Sequence, residues 1–175
     1  MGHGILLAVP FAILLGGTLF LSFRFGIAAE MFFTVIEKLL VAGNRDRALK
    51  LCAAAGRPPV ARVVHAGLQL QLPGTFASED ARADAAVEAL MPVAEAQTQR
   101  FMSLSFIAIV GVLGAIGTPM LTELDVWLRF GAPVALLAAS ANHVRVAFKL
   151  RRDTYAAVGV IAPFVQGDVP ESYDA

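Results

Sequence analysis

Thr118, Ser140 and Asn142 are uncharged polar side chains set inside long apolar runs of this 175-residue chain. A hydroxyl or carboxamide in such a run can solvate a proton or hand it on, and polar groups placed there cost free energy unless something uses them. The apolar segments 1–23, 101–121 and 126–148 contain no Asp or Glu. A proton moving along them would need its titrating carboxylate from another subunit, with Thr118, Ser140 and Asn142 as the ion-path groups on this chain. His3, His65 and His143 lie far apart, with no Cys or carboxylate at ligand spacing. No metal site is expected, and each reads as a solvated or interfacial histidine. Cys52 is the only cysteine, which excludes an intrachain disulfide and reads as a small buried apolar residue. Gly111, Gly114 and Gly117 recur inside an apolar helix, which is a packing pattern and not a nucleotide-binding loop. No Ser–His–Asp arrangement occurs in a plausible context, so neither enzymatic activity nor a cofactor is expected.

The elements that must position these groups follow from composition. The chain is 57% hydrophobic and 16% charged, whereas a typical water-soluble domain is about 25% charged; its mean hydropathy is +0.68. Residues 101–121 read FMSLSFIAIVGVLGAIGTPML, without a charge. At about 1.5 Å per residue this is enough for a hydrocarbon core of about 30 Å. At helical spacing Met102, Phe106, Ile109, Val112, Leu113 and Ile116 gather on a bulky side, while Ala108, Gly111, Gly114, Ala115, Gly117 and Thr118 gather on a small one. Residues 126–148 repeat the small line as Ala132, Ala135, Ala139 and Asn142. Two helices with matching small seams and a short connection are expected to pack closely as a hairpin. Residues 1–23 lack Lys and Arg as well as acids. They lack the basic start of a secretory signal and read as a retained first span.

Lys and Arg number nine in 24–100, four in 145–175, one in 121–129 and none before Arg24. The excess of positive charge on the cytoplasmic side places 24–100 and the tail 149–175 inside, and the N-terminus outside. The expected fold class is all-α: an integral membrane helical protein with three transmembrane helices (1–23, 101–121, 126–148) and a cytoplasmic helical portion between the first and the second. Within that portion, Ile27, Met31, Val35, Leu39 and Ala42 recur at helical spacing, and Gly43 is placed to end the helix in a left-handed cap. Asn44 is placed to cap a second helix, Arg45 to Ala55, with Ala48, Leu51, Cys52 and Ala55 on its apolar side. Gly56 ends that helix. Pro58-Pro59 starts a third, Val60 to Leu70. Pro73-Gly74 breaks the chain. Ser78-Glu79-Asp80 starts a long helix that runs on into the second span, bent but not ended by Pro92. The run Tyr155 to Val165 is too short to span and is expected to continue the third helix or pack on the cytoplasmic bundle.

The stretch FFTVIEKLLVAGNRDRALKLCAAAGRPPVARVVHAGL, residues 32–68, resembles the MotA/TolQ/ExbB proton-channel family, whose members carry a helix, a Gly-polar break, an A-L-x-L-C helix, a Pro-containing turn and an ARVVxAGL helix. Ala48 to Cys52 and Ala61 to Leu68 carry the likeness. Gly114-Ala115-Ile116-Gly117-Thr118 is similar to the family's G-L-x-G-T. Glu123, Gly131 and Asn142 fall near the spacing of its third-span Glu, Gly and Asn. The resemblance implies a homo-oligomer, a pentameric ring, in the bacterial inner membrane, around two helices of a single-span, Asp-bearing partner of the ExbD/TolR/MotB kind. It implies contact with membrane lipid and no contact with nucleic acid. The implied role is subunit of a proton-motive-force-driven motor or energy-transducing complex. A non-conducting structural or assembly subunit with the same scaffold is the other reading. Leu128 and Arg129 stand where the family has a third-span threonine, which implies a retained scaffold with an altered ion path.

Overall fold

The computed structural model describes residues 12–13, 15–20, 22–23, 25–117 and 126–168, with backbone alone for 100–112, 114–117 and 126–130. The elements are α1 (Ala29–Val41), α2 (Arg45–Ala55), α3 (Pro59–Gln69), β1 (Gln71–Thr75), α4 (Glu79–Gly117), α5 (Val126–Ile161), a 3₁₀ turn (Ala162–Phe164) and β2 (Gln166–Asp168). They form two compact units, one of Met1–Phe25 with Gln99–Leu150, the other of Gly26–Thr98 with Arg151–Ala175. Thus α4 and α5 each contribute one part to each unit.

Local chemistry sets the breaks in the second unit. At the end of α1, Gly43 N–H donates to Leu40 O at 2.9 Å and Asn44 N–H to Leu39 O at 2.8 Å. This pair of bonds closes the last turn around a residue with positive φ, and Gly43 has φ 72°. Gly56 ends α2 differently. With φ 68° and ψ −76° it centres a three-residue turn closed by Arg57 N–H to Ala55 O at 2.9 Å. Pro59 opens α3, where a missing N–H costs nothing. Ser78 Oγ accepts the Ala81 N–H at 3.1 Å and so caps α4. Asn44 takes the cap position of α2, but its side chain turns back towards Ala42 O at 3.4 Å and makes no cap bond.

The core of this unit gathers Phe32 and Ile36 of α1, Ala48 and Cys52 of α2, Val60, Ala61, Val63, Val64 and Leu68 of α3, Ala86, Leu90 and Ala94 of α4, and Ala157, Val158, Ile161, Ala162 and Val165 from the chain's end. Burying one side chain such as Ile161 contributes about 1.5–3 kcal/mol. Gly67 explains why α3 must carry a glycine at that position. A Cβ there would stand 2.8 Å from both Cγ1 and Cγ2 of Ile161 and 3.2 Å from Leu90 Cδ1. Beside the core, β1 and β2 pair in parallel, Gln71 with Gln166 and Thr75 with Asp168, with an irregularity between.

Three expectations are corrected here. The three-transmembrane-helix architecture does not stand: among the described residues, no helix is long and apolar enough to cross a membrane. Although α5 has the length, its apolar run is interrupted by Pro133, Ser140, Asn142, His143 and Arg145 and gives way to Lys149, Arg151 and Arg152. The charged first half of α4 serves the second unit, and most of segment 1–23 lies outside the described residues. The all-α expectation gives way to a mostly helical chain with one two-stranded parallel ribbon, because Pro73-Gly74 sits within a paired strand, not a bare break. Finally, α1 packs through Ala29, Phe32 and Ile36, while Met31 and Val35 are exposed. Glu30, Thr34, Glu37 and Lys38 form a polar stripe, and the apolar arc that remains is wide enough to hold both lines, so spacing alone did not select the packed face.

Candidate functional site

In the first unit, α5 packs through Leu136, Ser140, His143, Ala147 and Leu150. The steps of four, three, four and three residues make one continuous helix face. Two of the five are polar. His143 is fully buried, and its Nδ1 lies 3.0 Å from Oγ1 of Thr18. The threonine hydroxyl can donate to Nδ1 of one imidazole tautomer or accept from the Nδ1–H of the other. Ser140 donates its hydroxyl proton to Leu136 O, 2.8 Å away and one turn back, which leaves its oxygen an acceptor. Leu150 packs with Phe25 and Val146, and Phe20 meets Phe25 edge-to-face at 5.9 Å between ring centres.

Around this polar line the unit turns large apolar side chains outward. Phe23 is 86% exposed, Val134 67% and Phe148 64%, with Ile13, Leu15, Leu19, Phe20, Leu113 and Leu137 also exposed.

The sequence-derived site residues fall unevenly on this frame. Ser140 is on the packed line. Asn142 and Ala135 are exposed, and Ala132 and Ala139 are half-buried. The packed line of α5 is thus displaced from the small-residue line by one residue, about 100° around the helix. Ala108, Gly111, Gly114, Ala115 and Gly117 lie in α4, their side chains undescribed, and Thr118 lies outside the described residues. His143, read as solvated or interfacial, is instead buried and bonded to Thr18. The signal for it is the spacing Leu136, Ser140, His143, Ala147, Leu150, which small-residue matching passed over.

In the second unit Cys52 is buried, and desolvation pushes its thiol up to about 11, against the weaker opposing effect of a backbone hydrogen bond. Arg45 reaches two carbonyl oxygens, Phe164 O from Nη1 at 3.0 Å and Leu68 O from Nη2, so one guanidinium ties the end of α3 to the 3₁₀ turn. Its pKa is lowered by desolvation. Among the described residues no three His, Cys, Asp or Glu side chains converge as a metal-binding group.

No family model, curated protein or solved structure matches the chain. The likeness to the MotA/TolQ/ExbB family therefore rests on the residues quoted for it.

Proposed function

We propose that this chain is a non-enzymatic subunit of an oligomeric, ion-driven energy-transducing assembly at the bacterial inner membrane, of the MotA/TolQ/ExbB kind. The observation that carries this reading is the polarity of the first unit. Its exposed side chains Phe23, Val134 and Phe148 are apolar, while its packed line holds His143 and Ser140, with Thr18 bonded to the imidazole. Large exposed apolar side chains suit contact with other subunits, and a buried hydroxyl–imidazole pair suits a subunit that handles ions. The breaks between α1, α2 and α3 also fall at Gly43 and at Gly56 to Pro58, where the family pattern of residues 32–68 has its own.

On this reading five copies surround a single-span partner whose membrane aspartate carries the proton. Thr118 solvates or relays that proton, and the Thr18–His143 pair is a second buried polar point on the same subunit. A specific observation favours a second reading, a non-conducting scaffold. The Ser140 proton is committed to Leu136 O, and Asn142 stands outside the packed line.

Gentle extraction from the native membrane, affinity purification and native mass measurement separate the two. A ring with two copies of an Asp-bearing, single-span protein is expected, and proton flux through that complex should fall at least tenfold in Thr118→Val. A complex without such a partner would sink the conducting role and leave the scaffold.

A further inference from the structure

Beside the β1–β2 ribbon, wholly within the second unit, lies a cleft of about 610 Å³ lined by Gln71, Leu72, Arg82, residues 163–165, Gln166 and Gly167. A volume of several hundred Å³ is that of a small-molecule site. The lining contains a guanidinium, two carboxamides and no carboxylate. Gln71 and Gln166 are register partners across the ribbon, which brings both amide side chains to the same end of the cleft.

The charge is concentrated at one short piece of backbone. Arg82 Nη2 donates to Pro163 O at 3.1 Å, and Arg45 Nη1 donates to the next carbonyl, Phe164 O, at 3.0 Å. The two carbonyls that would repel an anion are thus already engaged by cations. Neither guanidinium is ion-paired to a carboxylate among the described residues. Arg82 Nε is shielded from water and donates to no acceptor, and Nη1 makes no bond to the described residues. Two cations without a carboxylate partner raise the local potential, and a guanidinium with unused donors matches the oxygens of a phosphate or carboxylate.

The position of Arg82 is itself built. Gly167 has no side chain where a Cβ would stand 3.2 Å from Arg82 Cδ, 3.3 Å from Arg82 Cγ and 3.0 Å from Phe76 Cε2. The arginine stem therefore lies against the β2 backbone, held with its head at the cleft.

We propose that this cleft binds a small anionic ligand through a phosphate or carboxylate group, with Arg82 as the anchoring cation, Gln71 and Gln166 as hydrogen-bonding partners, and Arg45 supplying charge from behind the Pro163–Phe164 turn. The cleft is built only from residues of the second unit, and the proposal does not depend on the role of Thr118, Ser140 or Asn142.

The purified full-length protein is titrated calorimetrically with inorganic phosphate and with citrate at constant ionic strength, and with glucose as a neutral control. Saturable binding of phosphate or of citrate is expected, and which one binds more tightly assigns the anion class. Arg82→Met should weaken that binding at least tenfold. Arg82→Lys keeps the charge and stem but loses the fork, and should weaken it several-fold. Gly167→Ala displaces the arginine and should do likewise. Arg62→Met removes an exposed cation of α3 and should change nothing. Should Arg82→Met unfold, as judged by circular dichroism, Arg82→Lys and Gly167→Ala decide. Absence of saturable binding of both anions to the wild type would overturn the proposal, as would unaltered binding in the folded Arg82 variants.

Discussion

At the scale of single residues, burial decides what a polar or reactive group can do. Cys52 is enclosed and its thiol is pushed up to about 11. At pH 8 almost none of it is thiolate, and iodoacetamide should modify the folded protein on the order of 10²-fold more slowly than the denatured chain. The folded thiol is raised above its unfolded value, so the fold's preference for the neutral form is fully present below about pH 8.5. It is lost as pH rises from there through about 11, and Cys52→Ala should remove that part of the alkaline decline in melting temperature. His143 is a different case, because its ring is buried with a bonded partner. Thr18→Val leaves the imidazole without its 3.0 Å hydroxyl, at a cost of about 1–3 kcal/mol in denaturant unfolding. A double-mutant cycle with His143→Leu should return a coupling of about 0.5 kcal/mol or more; additive effects would mean that the pair contributes nothing.

Helix ends and helix faces behave differently at the scale of elements. Ends are local: Gly43, Gly56, Pro59 and Ser78 each stop or start a helix through the backbone of its immediate neighbours. Gly56→Ala forces a side chain into a positive-φ turn and should cost about 1–2 kcal/mol. Faces depend on what approaches from elsewhere. Gly67 is required by Ile161, remote in the chain, and Gly67→Ala should cost about 1–3 kcal/mol through overpacking. Ile161→Ala in the same protein removes both clashing γ carbons. The double variant should therefore lose less stability than the sum of the two single ones, and a simple sum would show that α3 does not pack on Ile161.

For the whole molecule, the second unit is closed by residues 157–165, remote in the chain from α1 to α3. Ala157, Val158, Ile161, Ala162 and Val165 complete a core begun by α1 to α4, and Arg45 holds the last turn by Phe164 O. Deleting residues 151–175 should open that core, and Cys52 should then react with iodoacetamide at the rate of the denatured chain. Retained protection of Cys52 would show that residues 26–98 suffice. The first unit exposes large apolar side chains such as Phe23, Val134 and Phe148 beside Arg145 and Lys149, and sets a hydroxyl and an imidazole on its packed line.

The sequence by itself determined where helices begin and end, because caps, prolines and positive-φ glycines act over three or four residues. Arg45 to Ala55 and Glu79 as the start of the long helix were legible for that reason. The neutral, buried character of Cys52 was legible from its isolation among Ala and Leu. Tertiary structure alone decided which face of α1 and α5 packs, that Pro73-Gly74 lies in a strand paired with residues 166–168, that Arg45 spans to Phe164 O, and that His143 is enclosed with Thr18. On α1 the line Ala28, Met31 and Val35 is as apolar as the packed line Ala29, Phe32 and Ile36, and on α5 the line Leu137, Ala141, Val144 and Phe148 is more apolar than the packed one. Only contacts with residues remote in the chain lift that degeneracy.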